Sequence, residues 1–236
     1  MLLYYVRHGH PTYNPDELTP LGKRQAEAVA HRLALHGIDA VYSSTSNRAI
    51  ETAQPTAEIL GKEIVTLDFA NESYAHRDFS IDTEEGRRWF FANPKIYPLM
   101  HSDEICDLGF EWYKHPVFSD GNFEEGMKRI ADESDAFLAT LGYVREGVGK
   151  YRVESDNDQR VALFAHQGFG LAFLSHIVGI PLPRFWLHFN MSHSCFTVVQ
   201  FNNYDGYAYP RILTLSNDSH IYESRLPTKY NNFFYV

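Results

Sequence analysis

The sequence predicts an α/β fold, namely a three-layer, doubly wound, mostly parallel sheet that carries an inserted helical cap. Strand and helix patterns alternate over residues 1–67, which is typical of a parallel sheet. A strand pattern followed directly by a helix pattern returns at residues 161–178. The stretch between them, residues 68–121, breaks the alternation and is rich in aromatic side chains. It is too long and too apolar for a simple loop, so it is predicted to be a lid or cap over the sheet edge.

The first 67 residues predict three strands and two helices. A helix should begin at Thr19, a good N-cap residue, with Pro20 in the first helical position and a stop at Gly37. A second helix should begin at Ser46 or Asn47 and end near Gly61, with Pro55 as a kink. The strands are short apolar runs, at Leu2–Val6, Asp39–Tyr42 and Glu63–Leu67.

The rest of the chain predicts two long helices and three strands. Within the cap a helix is expected near Thr83–Asn93. Asn122 and Glu125 have the spacing of a capping pair at the start of the next helix. The remaining predicted elements are the strand Val161–Ala165, the helix Phe169–Val178, the strands Cys195–Phe201 and Tyr207–Leu215 joined by a turn at Asn202–Gly206, and an irregular tail from Ser216.

Length and composition limit the class of protein. The 236 residues favour one domain, 1–236, with the cap inserted at about residues 68–121. The formal net charge of −9 argues against nonspecific nucleic-acid binding but allows a local arginine cluster. Two cysteines make neither a disulfide framework nor a zinc site. Without a signal peptide or a membrane-length apolar run, we expect a cytoplasmic protein with no membrane partner.

Polar side chains follow three of the predicted strands. Arg7 and His8 follow the first strand, Arg48 lies in the first turn of the helix after the second, and His166 follows the strand at 161–165. The ends of parallel strands share one sheet edge, where open α/β sheets bind ligands. Arginine is the best bidentate partner of a phosphate, and helix N-termini add free N–H groups. This edge is therefore predicted to hold a dianionic phosphoryl group.

Several ordered blocks of sequence resemble the histidine phosphatase superfamily, also called the phosphoglycerate mutase-like family. The matching blocks cover about residues 1–66 and 160–200, and the middle of the chain matches poorly. They are Arg7-His8-Gly9, Asn14 at the spacing of a family asparagine, the LTxxGxxQA pattern at 18–26, the SSxxxRAxxTA pattern at 43–53, and Ala165-His166-Gln167-Gly168.

The resemblance implies a role for each matching residue. His8 would be the nucleophile that accepts the phosphoryl group. Arg7 and Arg48 would bind its oxygens, His166 would complete that binding as a protonated ring, and Asn14 would add a hydrogen bond.

The leaving oxygen needs a proton, which the family often takes from a glutamate after the third strand. Glu72 stands at that place, and a positioned general acid is worth roughly 10²–10⁴ in rate. The alternatives are Asp78, Asp82, Glu84 and Glu85. Gln167 replaces the aspartate of the acid phosphatase and phytase branch, which disfavours that branch.

The function that the resemblance implies is a metal-independent phosphomonoester hydrolase that acts through a phosphohistidine on a small phosphorylated metabolite. No cofactor and no metal are expected. The alternatives are a phosphoglycerate mutase-like phosphotransferase and a non-catalytic phosphate-binding module. The substrate's identity and the oligomeric state stay open, and a homodimer is compatible with the sequence.

Other side chains near these motifs have more than one interpretation. His188 and His193 are expected at surface or turn positions instead of the pocket. The cap aromatics are expected to pack on the sheet, with Trp89 and Trp112 as candidates for the mouth of the pocket. Three arginines either bind a second anionic group or form an exposed helix face, the interpretation we favour, namely Arg77, Arg87 and Arg88.

Overall fold

A computed structural model describes residues 1–84 and 86–227. Its strands, in chain order, are β1 (Leu2–Arg7), β2 (Pro11–Tyr13), β3 (Asp16–Leu18), β4 (Ala40–Ser44), β5 (Ile64–Leu67), β6 (Ser80–Thr83), β7 (Gly86–Trp89), β8 (Tyr143–Gly147), β9 (Lys150–Val153), β10 (Arg160–Ala165), β11 (Phe196–Gln200), β12 (Tyr207–Ala208) and β13 (Arg211–Asn217). Its α-helices are α1 (Pro20–Ala34), α2 (Asn47–Leu60), α3 (Glu72–Asp78), α4 (Tyr97–Met100), α5 (Asp103–Leu108), α6 (Phe123–Thr140), α7 (Gln167–Val178), α8 (Leu182–His188) and α9 (Ser219–Glu223).

The main sheet has six strands in the order β13-β11-β1-β10-β4-β5. Neighbouring strands in the row β1-β10-β4-β5 pair in parallel. Strand β11 pairs antiparallel with both β1 and β13. The predicted mostly parallel sheet is confirmed. The register places Arg7 beside Ala165, and Phe164 beside Ser43. The residues that follow β1, β10 and β4 therefore meet at one edge.

Helices cover both faces of this sheet, as the three-layer prediction requires. Along β1, Leu3 and Tyr5 belong to one apolar cluster, which includes residues of α6 and α7. Tyr4 and Val6 point to the other face and join a cluster with residues of α1 and α2. This alternation is the period of two that a strand buried on both faces imposes.

The first two helices begin and end close to the predicted residues. The Thr19 side chain accepts a hydrogen bond from the Gly22 amide at 3.1 Å, and Pro20 is the first residue of α1. The helix ends at Ala34, three residues before Gly37, which has a φ of +70°. Helix α2 continues through Pro55 and ends at Gly61, where φ is +62°.

Two glycines allow the loop after β1 to cross the start of α1. A Cβ atom on Gly9 would lie 2.6 Å from the carbonyl oxygen of Gly22. A Cβ atom on Gly22 would lie 2.1 Å from the carbonyl oxygen of His10. The close approach of these two backbones fixes the position of the residues after β1.

The helix predicted near Thr83–Asn93 is wrong. Strands β6 and β7 form an antiparallel hairpin there, and a 3₁₀ turn follows at Phe90–Ala92. Gly86 has a φ of +98°, which ends any helix at this point and turns the chain. The rest of segment 68–121 consists of short helices and 3₁₀ turns.

The aromatic residues of segment 68–121 mostly pack inward, as expected. Trp112 is only 1% exposed and contacts the rings of Phe118 and Trp186. It therefore does not lie at the mouth of a pocket. Trp89 is partly exposed and does line one.

Several smaller elements differ from the predictions. The hairpin β8–β9 and helix α8 were not predicted, and the predicted strand 207–215 divides into β12 and β13, which belong to different sheets. The Asn122 side chain makes no capping hydrogen bond. The tail includes α9, and its last residues, 228–236, lie outside the described residues. Within residues 1–84 and 86–227, every helix is too short or too polar to cross a bilayer.

The contact between α1 and the β1 loop predicts the effect of a substitution. Gly22→Ala should lower the free energy of unfolding by about 1–3 kcal/mol, since overpacking of this size exceeds the roughly 1 kcal/mol gained in helix propensity. Urea denaturation measures the change. The control is Lys23→Ala at the exposed neighbouring position, which should stay within about 0.5 kcal/mol. A Gly22→Ala protein as stable as the wild type contradicts the close contact.

Candidate active site

The sheet edge brings together four of the residues that the sequence singled out. Arg7, His8 and His166 are buried, with exposures of 1%, 3% and 0%. Arg48 in the first turn of α2 is also buried. The rings of His8 and His166 lie 5.2 Å apart, centroid to centroid. Two arginines and two histidines thus share one small, largely dry region.

The hydrogen bonds of His8 determine which ring nitrogen is available. Its Nδ1 atom lies 2.7 Å from the carbonyl oxygen of Gly9. Because a carbonyl oxygen only accepts, Nδ1 must hold the proton, and Nε2 keeps its lone pair. His8 lines a cavity. Burial, and then the neighbouring His166 and arginines, lowers the pKa of His8 well below its ordinary value, so the ring is neutral.

The Arg7 guanidinium is held from behind by the segment that precedes β11. It donates to the carbonyl oxygen of Met191 and, at 3.0 Å, to Nε2 of His193. His193 therefore accepts, and burial together with Arg7 lowers its pKa. His193 lies in a turn, which is one of the two positions that we expected, and its partly buried ring packs against that of His8. His188 is exposed, as expected.

Arg48 is held between an acid and an imidazole. Its Nη1 donates to Asp16 at 2.6 Å and its Nη2 donates to Nδ1 of His166 at 3.1 Å. The second oxygen of Asp16 accepts from the amide of Asn47, so the carboxylate also caps the start of α2. The Nε atom of Arg48 is buried and has no hydrogen-bond partner among residues 1–84 and 86–227.

The hydrogen bonds of His166 are those of a neutral ring. Because Nδ1 accepts from Arg48, the proton lies on Nε2, which donates to Ser44 Oγ at 2.8 Å. Burial, followed by Arg48 and Arg7, lowers the pKa of His166 well below its ordinary value. The Tyr5 hydroxyl fixes the backbone of His166 by donating to its carbonyl at 2.6 Å. The resemblance implied a protonated ring beside a phosphate dianion, and that expectation stays a prediction.

Glu72 is the first residue of α3 and reaches the start of α7. Its two carboxylate oxygens accept from the amides of Gly168 and Phe169, both at 2.9 Å. The N–H groups of α7 that we expected at a phosphate are therefore occupied by Glu72. Burial raises the pKa of Glu72 to about 7 against the opposing effect of these hydrogen bonds and of the arginines. Glu72 can therefore gain and lose a proton near neutral pH.

Three of the other candidate acids, Asp78, Asp82 and Glu84, do not line the cavity that the described residues form. Asp78 is buried in ion pairs with Arg77 and Arg129, at 2.7 and 2.9 Å. Asp82 and Glu84 are exposed on the β6–β7 hairpin. Glu85 lies outside the described residues.

Asn14 is not brought to the other predicted residues. It is exposed in the turn between β2 and β3 and does not line the cavity formed by the described residues. Its neighbour Tyr13 does line the cavity and lies 5.3 Å from the Arg48 guanidinium, measured to the ring centroid.

The cavity that opens from His8 has a volume of about 460 Å³. One part of its wall consists of Arg7, His8, Glu72 and the start of α7. The other part consists of neutral and aromatic side chains. They are Tyr13, Ser73, His76, Trp89 and Phe91. A small phosphorylated molecule fits a cavity of this size.

Sequence reasoning missed several partners of these residues. The contacts of Asp16 and His193 have no local sequence signal, because they join residues far apart in the chain. Ser44 and Thr52 both lie within the SSxxxRAxxTA pattern, and Thr52 accepts from the amide of Gly9 at 3.0 Å.

Comparisons with known proteins agree with this geometry. The family model of the histidine phosphatase superfamily (branch 1) matches residues 3–90. A putative phosphoserine phosphatase 2 from Hydrogenobacter thermophilus (strain DSM 6534 / IAM 12695 / TK-6) is 27% identical over 193 residues, which are 78% of this chain and 82% of that protein. A probable phosphoglycerate mutase from Enterobacter sp. (strain 638) is 31% identical over 106 residues, which are 39% of this chain and 49% of that protein.

A solved structure has the same fold. It is the phosphoserine phosphatase from Entamoeba histolytica in complex with 3-phosphoglyceric acid, with a TM-score of 0.60 at 18% identity. The match covers 93% of this chain and 98% of that one.

The protonation of the two histidines is a measurable prediction. The ring ¹⁵N shifts of His8 and His166 should remain those of neutral imidazole when the pH falls below 6.5, the ordinary histidine value. His8 should carry its proton on Nδ1 and His166 on Nε2. Below about pH 6.5 the unfolded chain binds protons on these two histidines, whereas the folded chain does not. The free energy of unfolding should therefore decrease as the pH falls below about 6.5. A doubly protonated His166 at pH 6.5 contradicts the assignment.

Proposed function

We propose that this chain, whose residues 3–90 match the histidine phosphatase superfamily (branch 1), is a phosphatase that hydrolyses small phosphomonoesters through a phosphohistidine formed on His8. The observation that carries this proposal is the state of His8: a buried, neutral ring with its proton on Nδ1 and with Nε2 free to attack. A nucleophile needs this lone pair, and the Gly9 carbonyl keeps it on Nε2.

We assign the phosphoryl group to the region between Arg7, Arg48 and His166. The guanidinium groups are already fixed by Met191, His193 and Asp16, so they need little rearrangement when the substrate enters. Preorganised positive charge of this kind stabilises the charge on the equatorial oxygens during transfer. Asn14 has no part in this proposal because of its exposed position.

In the first step, His8 Nε2 attacks phosphorus and the bond from phosphorus to the leaving oxygen breaks. Glu72, protonated, gives its proton to that oxygen, and the alcohol leaves. The phosphorylated imidazole carries a positive charge, which the hydrogen bond from Nδ1 to the Gly9 carbonyl stabilises. A carboxyl group with a pKa of about 7 is protonated often enough to donate at neutral pH.

In the second step, a water oxygen attacks phosphorus and the nitrogen–phosphorus bond breaks. The Glu72 carboxylate accepts the water proton, and His8 Nε2 regains its lone pair. Glu72 thus acts as acid and then as base, and it ends the cycle protonated again. We propose this route without a metal or cofactor, because Arg7 and Arg48 supply the positive charge that phosphoryl transfer needs.

The mutase-like transferase is the second candidate, and one relative that matches 39% of the chain bears that name. A transferase returns the phosphoryl group to a second alcohol, whereas a hydrolase releases inorganic phosphate. A non-catalytic module would form no phosphoenzyme at all. The next experiment separates all three.

Radiolabelled phenyl phosphate should leave an acid-labile, alkali-stable label on His8. His8→Ala should lose the label and reduce phosphate release on the order of 10⁴-fold or more, because the nucleophile is gone. The matched control is His188→Ala, an exposed histidine, which should keep both. A His8→Ala enzyme with wild-type activity refutes the proposal, and transfer to added alcohols without phosphate release supports the transferase instead.

Glu72 should control the alkaline side of the pH profile. Since its carboxyl must be protonated to donate, kcat/KM for benzyl phosphate should fall as the pH rises through about 7. The acid side should lie well below 6.5, where His8 finally becomes protonated. Glu72→Gln should reduce kcat/KM about 10²–10⁴-fold and abolish the alkaline fall.

The leaving group provides a further check on Glu72. The loss caused by Glu72→Gln should be much smaller for 4-nitrophenyl phosphate, because nitrophenolate leaves without a proton. The control Asp82→Asn, an exposed carboxylate on the β6–β7 hairpin, should behave as the wild type. Equal losses for both substrates show that Glu72 is not the acid.

A further inference from the structure

One part of the cavity wall is built from aromatic rings. The His76 and Trp89 rings meet edge to face with centroids 5.1 Å apart, and Trp89 and Phe91 lie 5.2 Å apart. Phe91 is buried and backed by the Trp186 ring at 5.7 Å, so this wall is anchored in the core. The aromatic wall comprises Tyr13, His76, Trp89 and Phe91, all of which line the cavity.

The position of Trp89 over the start of α7 depends on a glycine. A Cβ atom on Gly168 would lie 2.2 Å from the indole ring of Trp89, so the ring rests directly on the Gly168 backbone. The amide of the same glycine donates to Glu72. The aromatic wall therefore begins next to the proposed proton donor, where the carbon atoms of a leaving alcohol must lie.

Charged side chains are scarce in this wall. Among the described lining residues, Arg7 and Glu72 are the charged ones, and both belong to the phosphoryl end. Arg77 and Arg87 do not line the cavity: Arg77 pairs with Asp78, and Arg87 pairs with Asp82 while donating to the carbonyl of Ser80. The shared helix face that we expected is wrong, because Arg87 and Arg88 lie on strand β7. Arg88 does not line this cavity but lines a neighbouring one together with Trp89, and the binding of a second anionic group by these arginines stays untested.

Gln167 adds a buried acceptor to the cavity. Its Nε2 atom donates to Oδ1 of Asn190 at 2.6 Å. The Asn190 oxygen is identified by the Met191 amide, which donates to it, so the Gln167 nitrogen must face Asn190. Oε1 of Gln167 is then buried with no hydrogen-bond partner among the described residues. An acceptor repels a substrate carboxylate and favours a neutral group or a hydrogen-bond donor.

From these contacts we propose that the site selects phosphomonoesters whose alcohol part is uncharged and carries an aromatic ring close to the phosphate. The inference rests on the proposed phosphatase function and adds the substrate class. The ring stacks against Trp89 and Phe91 while the phosphoryl group lies at His8. A carboxylate on the alcohol part meets aromatic faces and the Gln167 oxygen, while Arg7, the cation among the described lining residues, lies at the phosphoryl end. The desolvation of that carboxylate is therefore not compensated.

A set of four substrates tests ring, charge and leaving group separately. Benzyl phosphate carries the ring, cyclohexylmethyl phosphate has a similar size without aromaticity, 4-carboxybenzyl phosphate adds a carboxylate, and O-phosphoserine carries both charges without a ring. In all four esters the leaving oxygen is bonded to a saturated carbon atom, so its need for a proton is similar. We expect kcat/KM for benzyl phosphate to exceed that for cyclohexylmethyl phosphate about three- to tenfold. It should exceed the values for both carboxylate-bearing esters by about tenfold or more.

Variants of the aromatic wall should change the ratio of kcat/KM for benzyl phosphate to kcat/KM for cyclohexylmethyl phosphate. Trp89→Leu should bring the benzyl to cyclohexylmethyl ratio close to one, and Trp89→Phe should retain most of it. The control is Phe110→Leu, a substitution at an exposed aromatic residue of segment 68–121 that does not line the cavity, and it should keep the ratio.

A binding measurement gives a readout besides activity and does not depend on turnover. Benzyl phosphate added to the His8→Ala protein should quench tryptophan emission, and the quench should be lost when Trp89→Phe is combined with it.

The outcomes separate the substrate inference from the function on which it rests. Hydrolysis of none of the four esters refutes the phosphatase function. Hydrolysis of O-phosphoserine or 4-carboxybenzyl phosphate at least as well as benzyl phosphate overturns the aromatic preference and leaves the phosphatase function intact. If the wild-type kcat/KM values for the benzyl and cyclohexylmethyl esters are nearly equal, the aromatic preference is likewise overturned and the phosphatase function stays intact.

Discussion

The burial of two guanidinium groups at one sheet edge is the constraint on which the site depends. Arg7 and Arg48 come from β1 and α2, and both are almost completely removed from water. Burying a cation is costly unless acceptors surround it. Asp16, His193 and the Met191 carbonyl supply part of that stabilisation. In the proposed function, a phosphate dianion supplies the rest.

The same positive charge sets the protonation of the groups that react. It helps burial to lower the pKa values of His8 and His166, so that the proposed nucleophile is unprotonated without a dedicated base. The positive charge lowers the pKa of Glu72, whereas burial raises it. Burial has the larger effect, so the pKa of Glu72 rises to about 7. One charge distribution thus favours a neutral imidazole and leaves a carboxyl group that titrates near neutral pH. The pKa of His8 therefore lies below that of Glu72, so the carboxyl group can hold a proton at a pH at which the imidazole does not.

The sequence predicted those parts of the site that depend on local signals. Strand ends, the Thr19 cap and the glycine stops are properties of a few adjacent residues, and they located Arg7, His8, Arg48 and His166 at the correct edge. The hairpin at 80–89 was mistaken for a helix because apolar spacing over a short window does not reveal the turn at Gly86. The contact between His193 and Arg7 spans most of the chain, so no local pattern contains it. Asn14 matched the family spacing, yet its turn faces solvent.

The proposed reacting groups and the proposed aromatic wall come from different parts of the chain, and Gly168 contacts both. The reacting groups are held by strand ends and helix starts, which the parallel register fixes. The aromatic wall comes largely from the β6–β7 hairpin and its flanking residues, whose sequence can change without moving β1 or β10. At Gly168, however, the backbone amide holds Glu72 and the Cα face supports Trp89. A side chain at this position would displace the ring or the carboxylate, so the proposed ring binding at Trp89 and the proposed proton transfer from Glu72 both depend on Gly168.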